Sequence, residues 1–259
     1  MTKCLLISVL MICFESATAG SAPCHSAGLR TAYKPLEIHG TAVCFFYTPN
    51  KLDKSGNKSY LDPDGISLYS ITTSGQAELL YELAYAGTKS EIKDAFIGSV
   101  AGGERLFVIH AMEAPSSWDI VGDVYSVSVI NFDGEKFVVD LELSRFFDLG
   151  GDSMNAQGQI KYVYPYKEKA SVENAIRSAI FKSVELSTPA SAIVREKTAL
   201  YGGDLEPATW EVSHRYASKS DRVTLEDSMA GWCKISYVAE RMPTRMWLIC
   251  DAISVLVRE

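Results

Sequence analysis

The sequence predicts a mainly β protein. It divides into an N-terminal antiparallel β-rich domain over residues 25–165, one connecting helix within a linker over 166–190, and a small β-barrel over 191–259. Three observations carry this. Apolar residues alternate with period two along most of the chain, as half-buried strands require. Turn residues interrupt those runs at short intervals, and Asp133-Gly134 is the clearest hairpin signal. Only one stretch carries an apolar stripe at helical spacing, starting near Ser171.

Residues 1–19 read as a secretory signal peptide, with Lys3 as the positive start, an apolar run from Leu5 to Phe14, and Ala17-Thr18-Ala19 as the small-x-small cleavage site. That run is shorter than the ~20 apolar residues of a membrane-spanning helix, and no later segment is apolar enough to span. After it, Val43, Phe45 and Tyr47 line one face of a strand over 40–49. A polar loop over 50–65 ends in Asp62-Pro63-Asp64-Gly65. Ile66 to Tyr69 and Leu79 to Tyr85 then flank a turn at Thr73-Ser74-Gly75 as a hairpin. Ile92 and Phe96 have helical spacing and predict a short helix or turn over Thr88–Phe96, broken by Gly102-Gly103. Leu106–Met112 is the next strand. Tyr125, Val127 and Val129 before Asp133-Gly134, and Phe137, Val139, Leu141 and Leu143 after it, predict a second hairpin. In the connecting helix Ser171 is the expected N-cap, and Val172, Ala175, Ile176, Ala179 and Ile180 form the buried stripe. Strands return over 191–201, 208–216, 221–227, 231–239 and 245–250.

Six cysteines are encoded, and Cys4 and Cys13 leave with the leader. The remaining Cys24, Cys44, Cys233 and Cys250 form an even set, which in an oxidising compartment suggests two bridges. Cys233 and Cys250 lie on two strand-like runs joined by a short polar stretch, within disulfide reach across a hairpin. Local pairing, Cys24–Cys44 and Cys233–Cys250, is therefore expected. A zinc site is the weaker reading, because no Cys-x-x-Cys occurs and His25, His39, His110 and His214 are scattered.

The C-terminal quarter carries an ordered set of short motifs: Thr198-Ala199-Leu200-Tyr201 before a turn, Asp221-Arg222-Val223-Thr224-Leu225, Gly231-Trp232-Cys233-Lys234-Ile235, and Met246-Trp247-Leu248. Over residues 192–256 this resembles the bacterial Src-homology-3-like barrel, with Met246 where that family often has Gly before the second Trp. The resemblance implies a five-stranded barrel with Trp232 and Trp247 as core anchors. It also implies the option of peptidoglycan binding.

Charge and chemistry narrow the function. Hydrophobic residues make up 47% and charged residues 22%, which excludes a disordered chain. With 25 Lys+Arg against 32 Asp+Glu the net charge is −7, which argues against nucleic acid and anionic membranes and in favour of a cationic partner. The sequence holds no Gly-x-Ser-x-Gly, P-loop, Gly-x-Gly-x-x-Gly or His-Glu-x-x-His pattern, so no catalytic, cofactor-binding or metal-ligating residues are expected. His110 reads as structural. Export, disulfides, small β units and acidity together give a layout similar to periplasmic immunity proteins, which neutralise toxins delivered between bacteria, for example by type VI secretion. That resemblance implies a non-enzymatic protein of the periplasm or exterior with a protein partner, a cationic toxin; a peptidoglycan-binding accessory protein is the alternative. The candidate binding residues are Trp210, His214 and Arg241 on the C-terminal unit and the acidic glycine loop Asp148–Asp152.

Overall fold

The computed structural model describes residues 24, 29–47, 65–71, 75–100, 102–155, 157–207, 212–239 and 242–256. The leader, nearly all of the 50–65 loop, Trp210 and Arg241 lie outside them. The described residues are mainly β, as the alternation requires, and form three antiparallel sheets.

The first sheet is a four-stranded meander of β1 (Thr31–Ile38), β2 (Thr41–Tyr47), β3 (Ile66–Ile71) and β4 (Ala77–Glu82). The second has β5 (Ser90–Val100), β6 (Gly103–Glu113), β7 (Ile120–Phe132), β8 (Phe137–Val139), β9 (Gly150–Met154) and β10 (Ile160–Tyr162), in the order β10-β9-β7-β6-β5 with β8 also on β7. Strand β6 explains how the two stack. Its Leu106 and Val108 join Val43, Phe45 and Leu68 in the core between the sheets. Its Phe107 and Ile109 join Phe146, Phe147, Val172 and Phe181 in a second core on the opposite face. Burial on both faces makes Leu106–Met112 read as an apolar run broken only by His110. Each such side chain contributes about 1.5–3 kcal/mol by leaving water.

Three helices close the second core: α1 (Leu141–Phe147), α2 (Lys169–Arg177) and α3 (Ala179–Glu185). Their details correct several expectations. No helix forms over Thr88–Phe96: β5 begins at Ser90, and a bulge between Ile92 and Asp94 puts Ile92 in the core between the sheets and Phe96 in the opposite core, so their spacing of four marks no common face. The strand expected to run on to Leu143 stops at Val139. Asp140 then caps α1 by accepting the Leu143 N–H (3.0 Å), and Leu143, Phe146 and Phe147 turn into the core. The connecting helix is two helices. Ser178 adopts an extended backbone (φ −71°, ψ 152°), ends α2, and caps α3 by accepting the Phe181 N–H at 3.1 Å. Glu168, not Ser171, occupies the N-cap of α2; Ser171 sits three residues on and accepts the Glu168 N–H at 3.4 Å.

The third sheet comprises β11 (Ala190–Val194), β12 (Thr198–Tyr201), β13 (Val212–Ala217), β14 (Arg222–Met229), β15 (Trp232–Ala239), β16 (Met242–Ile249) and β17 (Ile253–Val255). The expected strand over 191–201 is thus split into two. The order is β13-β12-β16-β15-β14-β11-β17, and no pairing among the described residues joins its ends, so the closed barrel is not formed there. Short strands blunt both edges instead, which relieves the exposure that closure would otherwise remove. Both expected disulfides are present: Cys24–Cys44 (Cα–Cα 5.7 Å) and Cys233–Cys250 (Cα–Cα 5.0 Å). Cys250 lies one residue beyond β16, in a 3-10 turn.

The tip of the β14–β15 hairpin fastens this sheet to the rest. Ala230 and Gly231 both have positive φ (49° and 81°), the requirement of a two-residue turn matched to strand twist. The Ala230 N–H donates to the Phe146 carbonyl (2.9 Å), and the Tyr162 hydroxyl donates to the Ala230 carbonyl. A Cβ on Gly231 would meet Pro165 Cγ at 2.8 Å, so only glycine fits between the turn and that ring. Arg145 on α1 pairs with Asp227 on β14 at 2.8 Å.

Candidate binding groove

A concavity lies where β5, β6 and β7 end. The loop between β6 and β7 is held by an Ala114 N–H to Gly122 carbonyl bond (3.0 Å) and a Trp118 N–H to Pro115 carbonyl bond (2.9 Å). It places Trp118 at the surface, 39% exposed. On one side of Trp118 is a net acidic lobe of about 480 Å³, lined by Glu91, Glu113, Asp123 and Lys89. Strand register builds it: Glu91 lies opposite Ala111, and Glu113 lies opposite Asp123. Lys93 pairs with Glu91 and reaches Asp123 at 3.4 Å; the Glu91 hydrogen bond holds its ammonium above the usual lysine range. Glu113 has no ion-pair partner among the described residues.

On the other side of Trp118 is a second lobe of about 420 Å³, between β9 and the third sheet. Ile120, Leu149, Met229 and Trp232 give it an apolar lining, with Asp119 and Glu206 also on its wall. Gly150 and Gly151 line it as well, because side chains there are excluded. A Cβ on Gly150 would meet the Tyr164 ring at 2.5 Å, and one on Gly151 would meet Ile120 Cγ2 at 2.5 Å. Trp118 and Ile120 line both lobes, so the two adjoin at the loop that carries the indole.

The sequence candidates fall as follows. Asp148 ends α1; its Oδ1 accepts the Leu149 N–H (2.7 Å) and its carbonyl accepts the Tyr164 hydroxyl (3.0 Å). Asp152 accepts from Lys167 Nζ (2.6 Å) and from the Tyr164 N–H (3.0 Å). Both carboxylates are therefore engaged within the fold, while the loop between them, Leu149 to Gly151, lines the apolar lobe. His214 is exposed on β13, at the outer edge of the third sheet. Trp210 and Arg241 lie outside the described residues. The sequence reading did not single out Trp118, Glu113 or Asp123. The available signal was a Trp after Pro115-Ser116-Ser117 in a polar turn, where burial does not account for it.

Chemically the groove offers carboxylates, an indole face and an apolar recess. Among the described residues no group of three His, Cys, Asp or Glu side chains is placed to hold a metal ion. Tyr164 and Tyr166 are buried and Tyr162 is half-buried; burial raises their pKa values, so they stay protonated and Tyr162 and Tyr164 act as structural donors. No helix among the described residues is long and apolar enough to cross a membrane. No protein family matches the chain, and neither a curated protein nor a solved structure is detectably similar to it.

Proposed function

We propose that the protein works outside the cytosol as a non-enzymatic binding protein that captures a positively charged protein, in the manner of a periplasmic immunity protein that neutralises an antibacterial toxin. The observation that carries this reading is the groove at Trp118, where an exposed indole stands among Glu91, Glu113, Asp119 and Asp123. An aromatic anchor in a net negative surround, four carboxylates against Lys89 and Lys93, suits a protein-recognition surface, and its field speeds encounter with a basic partner. Two disulfides suit an oxidising compartment, and the leader read from residues 1–19 supplies the route to it. The sequence motifs over residues 192–256 that resemble Src-homology-3-like domains are in keeping with a binding role for that unit too.

The test is protection. The product of the adjacent open reading frame, sent to the periplasm of a host strain, is expected to arrest growth, and co-export of this protein is expected to restore it. Failure to protect, together with co-sedimentation of the purified protein with peptidoglycan sacculi, would replace this reading with a cell-wall-binding role.

A further inference from the structure

The groove also specifies what the partner presents to it; this inference rests on the capture of a cationic protein proposed above. Glu113 and Asp123 face each other directly across the β6–β7 ladder. Like charges in that position repel and weaken a sheet, so the pair is a local cost to folding. Lys93 answers Asp123 and Glu91 from one side, while Glu113 makes no ion pair among the described residues, and Lys89 is the one other cation lining the lobe, so three carboxylates stand against two lysines. The lobe therefore holds an excess of carboxylate beside an indole that is 39% exposed. One side chain meets both features. A guanidinium forks to carboxylate oxygens through parallel N–H donors, and its planar face stacks on an aromatic ring. An ammonium supplies the charge without the fork or the face. Beyond the indole, the lobe at Gly150-Gly151 is mostly apolar, with Tyr164 and Ile120 packed against the glycines, and its lining of Ile120, Leu149, Met229 and Trp232 suits an aliphatic side chain.

We propose that the partner inserts an arginine into the lobe at Glu113 and Asp123, with its guanidinium against Trp118, and seats a neighbouring apolar side chain in the lobe at Gly150-Gly151. Trp118 is the element shared by both contacts.

The probes are acetyl-Arg-Leu-amide and its Lys and citrulline counterparts, titrated into the full, oxidised protein. The readout is the Trp118 indole N–H in ¹H–¹⁵N spectra, assigned with Trp118→Phe. The arginine peptide is expected to shift that signal saturably, the lysine peptide to bind at least about fivefold more weakly, and the neutral citrulline peptide not to bind. The double variant Glu113→Gln/Asp123→Asn is expected to lose about tenfold or more in affinity while its melting temperature stays level or rises, because a repulsion is removed. A level or raised melting temperature excludes misfolding as the cause of that loss. Equal response to lysine and arginine, a silent Trp118, or undiminished binding by the double variant would overturn the assignment. A silent Trp118 in a protein that still protects cells overturns the arginine site alone. Arginine binding without protection supports the site and overturns the immunity reading.

Discussion

Replacing Cys233 and Cys250 together by Ala is expected to lower stability by about 3 kcal/mol, from the unfolded-chain entropy of a bridge whose cysteines lie 17 residues apart. The true loss is expected to exceed that figure, because both cysteines belong to the core of the third sheet, with Cys233 fully buried and Cys250 nearly so. Their neighbours there include Val223, Leu225, Ile235 and Leu248. For a chain of this size, 3 kcal/mol corresponds to a fall of about 6–12 °C in melting temperature. Scanning calorimetry of wild type and the double variant, both purified oxidised, measures it. The third sheet is expected to suffer first, seen as lost protection of the β15–β16 amides in hydrogen exchange. A melting temperature unchanged within a degree would show that the bridge adds nothing to the folded state.

Replacing His110 by Leu is expected to flatten the acid limb of the stability curve. His110 lies on β6 between Ile92 of β5 and Ser126 of β7, fully buried, and neither ring nitrogen has a hydrogen-bond partner among the described residues. Burial alone pulls its pKa down to about 4, from 6.5 in a solvated chain. The folded state therefore takes up its proton later than the unfolded state. Above pH 6.5 the ring is neutral in both and contributes no pH dependence. As pH falls from 6.5 towards 4 the unfolded state binds the proton first, so stability is lost across that window and levels off below it. By pH 4.5 the loss reaches about 2–3 kcal/mol, since holding one proton fewer than the unfolded chain costs the folded state ~1.4 kcal/mol for each step of one in pH. In His110→Leu this contribution disappears. At pH 7 the variant is expected to match or exceed wild type, since it replaces an unpaired buried polar ring with an aliphatic group. Urea unfolding of both proteins at pH 7 and pH 4.5 measures the difference, and equal pH slopes would contradict the assignment.

How much of this was legible from sequence depends on what each segment's residues had to satisfy. Strands β14 and β15 show clear alternation because each turns one face into the core of the third sheet, whereas β7 is buried on both faces and alternates only because Ser126 and Ser128 stand between Tyr125, Val127 and Val129; the Asp133-Gly134 and Gly231 turns mark their ends. Strand β1 hid its pattern. It is an edge strand with register shifts, and its exposed and half-buried residues include Lys34 and Pro35. Helix α1 imitated a strand, because Phe137, Val139, Leu141 and Leu143 alternate; yet Leu141 is 73% exposed, and the cap from Asp140 decides the local structure. The break at Ser178 was masked because α2 and α3 pack on the same core, so the apolar stripe runs through it. The cysteine pairs were readable because each is local. The groove was not, because it is a product of register. Glu113 and Asp123 are ordinary surface acids until the β6–β7 ladder sets them face to face with Trp118 beside them. The pair Asp148 and Asp152 stood out for charge beside glycine, and both carboxylates are engaged inside the fold.

The functional account depends on maturation in an oxidising compartment, and intact-mass spectrometry of the native product after alkylation under denaturing, non-reducing conditions tests that most directly. The expected product lacks residues 1–19 and carries no alkylated cysteine, with Cys24 joined to Cys44 and Cys233 to Cys250 in the peptide map. A product that retains the leader, or whose Cys233 and Cys250 take up the alkylating reagent, would place the protein among reduced thiols and contradict the account.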